Sequence, residues 1–496
     1  MDNASLKEEV QRAVFAAVDR LPYVVSATIT GSFVESQTLE GLSDIDVVVI
    51  LDHVNRPRFE ETQAALDREV RPILARQGYD LRLNPTLGPL KYNEPHLAVL
   101  HVMMYSCDAH AEHVINSPFT CLDWQRSDVV RKKRLADIYP VYALQPRHFL
   151  GARRSAMDYL ADLEQGVISY RELECDAEGY TEVRRTQPMG VRERHEFAYH
   201  VMRFLMRNLL KLVRRTNDVP TRADDLLDAY FAVFPREREG MADLFLTLAA
   251  KKRAHDYASE VPSLAGHMHQ FVQAFDRQFR DEFVEGAGRH LVVRHAPTAA
   301  NMGEREFLGR SDIPICDEWR DAAELAAAVE EANPKRVWCS PMQRCRQTVE
   351  RFAGRTELEI VEDNRLVEFD YGACERLTVA QARRRFPELF EAWGRCEDPC
   401  FPGGGENTAS VARRVSAFMR ERLGDAGHDS LVCSHNGVVR AIVGMTLGIP
   451  QEQWHRIDVP HCAPITVISS RRFGLFVNIP PAVERRMFRW HQAKVA

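Results

Sequence analysis

The chain has 496 residues, 27% of them charged, with a formal net charge of −6. Such a length exceeds one ordinary core, so two or three domains are expected, and the slight acidity excludes the basic face that a nucleic-acid partner requires. Eleven cysteines without a repeated spacing, no apolar run of about eighteen residues and no basic or apolar leader at the amino terminus point to a reduced cytoplasmic protein with no membrane partner.

Residues 5 to 20 have helical periodicity, with Val10, Val14, Ala17 and Val18 on one face. Val24 to Thr30 reads as a strand and runs into Gly31-Ser32, a turn whose backbone N–H groups suit a phosphate. The next strand opens Ser43-Asp44-Ile45-Asp46. Side chains alternate across a strand, so Asp44 and Asp46 share one side. Two close carboxylates repel, and a divalent cation is the usual remedy; Mg2+ favours a few carboxylates together with substrate phosphates.

A Gly-Ser turn followed by D-x-D on the next strand resembles the nucleotidyltransferase superfamily shared with polymerase beta. The resemblance covers roughly residues 20 to 105 and rests on Gly31, Ser32, Asp44 and Asp46. It implies Mg2+, an NTP substrate and a third carboxylate on a later strand. Tyr79 to Leu83 offers Asp80, whereas Leu97 to Tyr105 carries no acid, so Asp80 is the candidate by elimination. Three carboxylates could hold two ions about 3.5–4 Å apart.

Cys107, His110 and His113 recur every third residue, but no fourth zinc ligand is evident, and a solvated helix face is expected. From about 125 to 285 the pattern becomes helical, clearest over Ala152 to Gln165 and Glu193 to Arg215, with Cys175 to Tyr180 a surface loop. Phe197, Val201, Phe204, Leu205 and Leu209 form an apolar stripe, and Arg203, Arg207 and Lys211 read as a solvated face. By the resemblance, this helical domain completes the nucleotide and acceptor cleft. The glycines of Val284 to Arg289 suit a linker.

After it, Leu291-Val-Val is a short buried strand that ends in Arg294-His295. Parallel sheets place their chemistry at the carboxyl ends of strands, so a cationic pair there suggests an anion site. Val337 to Thr348 repeats the design with Arg344 in the first turn of a helix, Leu366-Val-Glu368 opens a loop, and Ser430 to Ser434 is an apolar strand that ends in His435. Arginine's planar fork suits phosphate oxygens. Helices are expected over Asp317 to Glu331 and Val411 to Leu423.

Arg294-His-Ala-Pro-Thr-Ala-Ala-Asn301, Ser340 to Thr348, the Glu368 loop, Phe401-Pro-Gly-Gly-Gly-Glu-Asn407 and Ser434-His-Asn-Gly437 resemble, in order, the motifs of the histidine phosphatase (phosphoglycerate-mutase-like) superfamily. The resemblance implies that His295 is the nucleophile, Glu368 the proton donor, and Arg294, Arg344 and His435 a phosphate clamp. Thr298, Asn301 and Asn436 stand in the same motifs and would contact the phosphate. No cofactor is implied at this site. Ala296 departs from the family's glycine, Pro297 from its frequent Glu and Asn407 from its Ser. A positive φ at Ala296 would cost about 1 kcal/mol.

The expectation is an α/β multidomain chain: a nucleotidyltransferase domain (1–124), a helical domain (125–285) and a three-layer α/β histidine phosphatase domain (286–496). It predicts a bifunctional enzyme that transfers a nucleoside monophosphate from an NTP to a small hydroxylated acceptor and hydrolyses a phosphate monoester through phosphohistidine, in one small-molecule pathway. The alternatives are a protein-modifying, antitoxin-like nucleotidyltransferase with a phosphatase or phosphate-binding module, and mutase activity at the carboxy-terminal site. The oligomeric state is not legible in the sequence.

Overall fold

The computed structural model describes the chain except residues 1–2, 36–43, 89, 91–95, 237, 255, 317–321, 354–358, 425–427 and 492–496. By internal contacts it divides into two units: residues 1–141, 148–275 and 491–496 form one, residues 142–147 and 276–490 the other.

In the first unit, strands β1 (Val24–Thr30), β2 (Asp44–Leu51), β3 (Asp80–Asn84), β4 (Leu97–Ser106) and β5 (Val130–Lys132) make one sheet, in the order β3-β4-β2-β1-β5. β2, β4 and β3 run parallel, and β1 is antiparallel to β2 and β5. Val47 to Leu51 are wholly buried, as expected of a β-branched run in a central strand. Helices Asn3–Asp19 and Arg56–Ala75 bury Val10, Val14, Leu66 and Val70 in one core with Ile45, Val47, Val49 and Leu51. Asn55 starts the second helix by accepting the Arg58 N–H at 3.2 Å, with Pro57 in the first turn. Because Ile45 and Val47 face those helices, Asp44 and Asp46 face the other way.

The region expected to be helical from 125 to 285 also holds a hairpin of β6 (Val167–Cys175) and β7 (Tyr180–Pro188), paired antiparallel from Val167–Pro188 to Cys175–Tyr180. The expected loop at 175–180 is its turn. Both strands carry charged residues on both faces, so the alternation that marks a strand was missing. Helix Val191–Arg214 buries Phe197, Val201, Leu205 and Leu209 as expected. Lys211 is a correction: it is buried, with its ammonium 2.9 Å from Asp123. So is His110, fully buried in helix Cys107–Asn116 rather than on a solvated face.

In the second unit, β8 (Ala287–Arg294), β9 (Arg336–Cys339), β10 (Ile360–Glu362), β11 (Ser430–Ser434), β12 (Ile465–Ser470) and β13 (Gly474–Asn478) form a sheet in the order β10-β9-β11-β8-β12-β13. The first four run parallel; β12 is antiparallel to both β8 and β13. On one face Leu291, Val293, Val337 and Leu431 pack with Leu325, Val329 and Val349 from helices Ala322–Ala332 and Gln343–Ala353. On the other, Trp338 meets Phe418 of helix Thr408–Phe418 edge-on at 6.2 Å. Helices on both faces make three layers. Residues 317–321 of the expected helix lie outside the described residues. The chain leaves β8 for β9 and β10 on one side, returns to β11 beside β8, and then leaves for β12 on the other. That reversal opens a crevice at the carboxyl ends of β8 and β11.

Candidate active sites

Arg294 and Ser434 are paired in register, so the residues that follow them, His295 and His435, emerge side by side. The His295 N–H donates to Ser434 O at 2.9 Å, and the two rings lie 5.2 Å apart between centroids. Nδ1 of His295 is 2.6 Å from Ala296 O, an acceptor only, so Nδ1 carries the proton and Nε2 keeps its lone pair. Burial first, then the charges of Arg294 and Arg344, hold the His295 pKa well below that of an ordinary histidine. The ring is therefore neutral through mildly acidic pH, as a nucleophile must be.

His435 is fixed from both sides. Its Nδ1 accepts from Arg344 Nε at 3.1 Å, and Nε2 lies 2.8 Å from Ser340 Oγ. Arg344, fully buried, also donates to Ser311 O at 2.9 Å and Gly309 O at 2.8 Å. The structure thus brings Arg344 and His435 together beside His295, with their hydrogen bonds turned to protein partners. Arg294 gives one N–H to Val459 O at 2.9 Å. Among the described residues its buried Nε has no hydrogen-bond partner, and neither does Oδ1 of Asn436. Desolvation lowers the Arg294 pKa to about 10. Arg294, Asn301, Asn436 and His461 line a cavity of about 620 Å³ that runs on past Tyr371 and Trp393 to Arg440. Thr298 is buried and donates to Asn301 Oδ1 at 2.8 Å, holding Asn301 at that wall.

Glu368 is buried, and its carboxylate accepts the Gly437 N–H at 3.1 Å in the first turn of helix Asn436–Leu447 and the Phe369 N–H at 2.9 Å. Arg414, ion-paired with Glu406 at 3.0 Å, donates to Glu368 O at 3.2 Å. A Cβ on Gly437 would stand 2.5 Å from Glu368 Oε1 and 2.3 Å from the Phe369 ring. Gly437→Ala is therefore expected to displace the carboxylate and lower phosphatase kcat by about 10²-fold or more, the lower end of what a placed acid contributes. An unchanged kcat would show that this contact does not position Glu368.

Ala296 is not among the residues with positive φ; its N–H donates to Thr348 Oγ1 at 2.9 Å and its side chain joins the core. The departure from glycine imposes no strain. Two site residues were missed in the sequence. His461 donates from Nδ1 to His295 O at 2.8 Å and holds its ring 5.4 Å from that of His295; burial lowers its pKa to about 3. Arg440 lies four residues after Asn436, on the same helical face, and this i,i+4 spacing was the available signal.

In the first unit, Gly31 follows β1 with φ +73, and a Cβ there would stand 2.4 Å from Asp46 Oδ2. Glycine is required by both conformation and space. The side chain of Ser32 lies outside those described. Asp44 and Asp46 share the open face of β2, Asp44 buried and Asp46 half-buried. Asp80 is corrected as a metal ligand. It lies exposed at the first position of β3, level with Leu97, whereas the residues level with Asp46 are His101 on β4 and Asn84 on β3. Asp80 is thus four residues further along the sheet, roughly 13 Å, and two strands across. His101 Nδ1 is 2.9 Å from Asp46 Oδ1, and its Nε2 is 2.9 Å from Thr86 O. No group of three or more metal-ligating side chains occurs among the described residues. Two adjacent carboxylates fit a cation that shares substrate phosphates.

The family description "Histidine phosphatase superfamily (branch 1)" matches residues 290–477, and "Nucleotidyltransferase domain" matches residues 12–88. An acid phosphatase of Mycobacterium tuberculosis is 30% identical over 35% of this chain and 82% of its own length. A protein of the same organism named as bifunctional is 34% identical over 32% of this chain, which spans 44% of that relative's length. A phosphoserine phosphatase of Hydrogenobacter thermophilus is 28% identical over 32% of this chain and 76% of its own. Among solved structures, a mycobacterial hydrolase is 24% identical with a TM-score of 0.35, over 40% of this chain and 99% of that one. The chain therefore belongs to the histidine phosphatase superfamily through its carboxy-terminal unit, and joins to that enzyme fold a nucleotidyltransferase domain.

Proposed function

We propose that the chain is a bifunctional enzyme that hydrolyses a phosphate monoester through phosphohistidine at His295 and transfers a nucleoside monophosphate from an NTP to a small hydroxylated acceptor. One observation carries the first activity: a neutral His295 whose Nδ1 is tied to Ala296 O, which leaves the lone pair on Nε2, with Arg294 and Arg344 near enough to hold the ring's pKa down. The Nε2 lone pair forms the bond to phosphorus, the phosphorus–oxygen ester bond breaks, and Glu368 in its acid form protonates the leaving oxygen. Water then attacks the phosphohistidine and gives its proton to the Glu368 carboxylate, which restores both residues and releases phosphate. Relatives named as acid and phosphoserine phosphatases support this reading. Arg440 is one of several arginines that line the cavity beyond Arg294, which suits a monoester that carries another negative group.

For the second activity, Gly31, Asp44 and Asp46 supply the nucleotide end, and the acceptor hydroxyl would displace pyrophosphate at the α-phosphorus. Mg2+ held by Asp44 and Asp46 would neutralise triphosphate charge. A cavity of about 660 Å³ in the same unit, lined by Tyr105, His113, Tyr159, Tyr170 and Arg171, is of a size for a compact ligand and favours a small acceptor over a protein. Chelation separates the two reactions. Addition of EDTA is expected to abolish nucleotidyl transfer and to leave hydrolysis of an aryl phosphate unchanged, because arginine and histidine supply the positive charge at the second site. Equal loss of both activities, each assayed on its own substrate, would contradict this division.

A further inference from the structure

The nucleotidyltransferase sheet carries a feature that bears on how many cations it can hold. β2 and β4 are parallel neighbours, and their shared open face presents Asp44 level with Val99 and Asp46 level with His101. A third carboxylate sharing a cation with Asp46 would have to project from that level of β4. His101 stands there instead, and it cannot substitute as a ligand. A carbonyl only accepts, so Nε2 beside Thr86 O carries a proton, and Nδ1 is directed at Asp46 Oδ1. Both nitrogens are turned to protein oxygens, and one of Asp46's oxygens is engaged. Its other oxygen lies against Gly31. On β3 the same level is occupied by Asn84, hydrogen-bonded through its Oδ1 to Thr86 at 2.7 Å. Among the described residues no third carboxylate joins Asp44 and Asp46, so a second dication about 3.5–4 Å from the first would rest chiefly on the nucleotide's phosphates.

Resting on the reading of Asp44 and Asp46 as the nucleotide end, we infer that this site takes a single divalent cation with its nucleotide, and that His101 occupies the place of the ligand a second cation would need. The acceptor hydroxyl is then not activated by a metal of its own. A carboxylate at position 101 would open the second position, because it would add a negative charge level with Asp46 and free the oxygen that His101 engages.

The test is Mn2+ binding to the full chain with the α,β-methylene analogues of ATP, GTP, CTP and UTP, read by electron paramagnetic resonance. The expected result is one Mn2+ per bound analogue with the spectrum of an isolated ion, and, in His101→Asp, a second Mn2+ with spin coupling between the two. Two coupled ions in the wild type would overturn the inference while leaving the nucleotide reading standing, and a single ion in a folded His101→Asp would overturn the role given to His101. If no Mn2+ binds in a manner that Asp46→Asn abolishes, the nucleotide reading itself fails. The wild-type stoichiometry needs no variant, and retained phosphatase activity together with an unchanged melting transition shows that His101→Asp is folded.

Discussion

Replacing His295 with alanine is expected to lower phosphatase turnover by at least about 10⁴-fold, the scale at which loss of a covalent nucleophile is felt in a site whose parts act as a unit. His435 cannot take over, because both its ring nitrogens are committed, to Arg344 and Ser340. The loss should fall on kcat, since Arg294, Asn301 and Asn436 still line the cavity that receives the substrate. Nucleotidyl transfer should be unchanged and serves as the control for folding. A drop of less than tenfold would mean that the chemistry does not pass through this ring.

The second large effect is expected from Asp44→Asn combined with Asp46→Asn, which should reduce nucleotidyl transfer by about 10³-fold or more while leaving the phosphatase intact, because both carboxylates proposed to hold the cation are lost. Asparagine keeps the shape of each side chain, so the strand need not move. This is important at Asp44, which is 7% exposed. The amide introduced by Asp46→Asn could still face His101 through its oxygen, so loss of activity would report charge rather than a broken contact. Transfer that survives the double substitution would remove these carboxylates from the site.

Legibility in the sequence differed sharply between the two units. The phosphatase site could be read because parallel strands buried on both faces appear as short apolar runs, and Arg294-His295 and Ser434-His435 follow such runs directly. Each candidate catalytic group lies within a few residues of the motif that marks it. The nucleotidyltransferase turn and D-x-D were legible because Gly31-Ser32 follows one apolar run and Asp44-Ile45-Asp46 opens the next. What failed was information that lives between strands. Elimination led to Asp80 because β4 carries no acid, but which residue stands level with Asp46 depends on register, and register places His101 there. His461 was invisible because it reaches His295 from a loop 166 residues later in the chain. The 167–188 hairpin went unread because polar residues on both faces erase alternation. Ala296 looked strained only on the assumption of a positive φ that the backbone does not adopt.

The most direct test of the account is to trap the phosphoenzyme. The full chain would be mixed with a fast aryl phosphate substrate, quenched in base during turnover, and digested for mass spectrometry. The account predicts acid-labile, base-stable phosphate on His295 alone, present in the Asp44→Asn, Asp46→Asn chain and absent from His295→Ala. Phosphate found on His435, or turnover at the full rate with no phosphohistidine at any position, would contradict it.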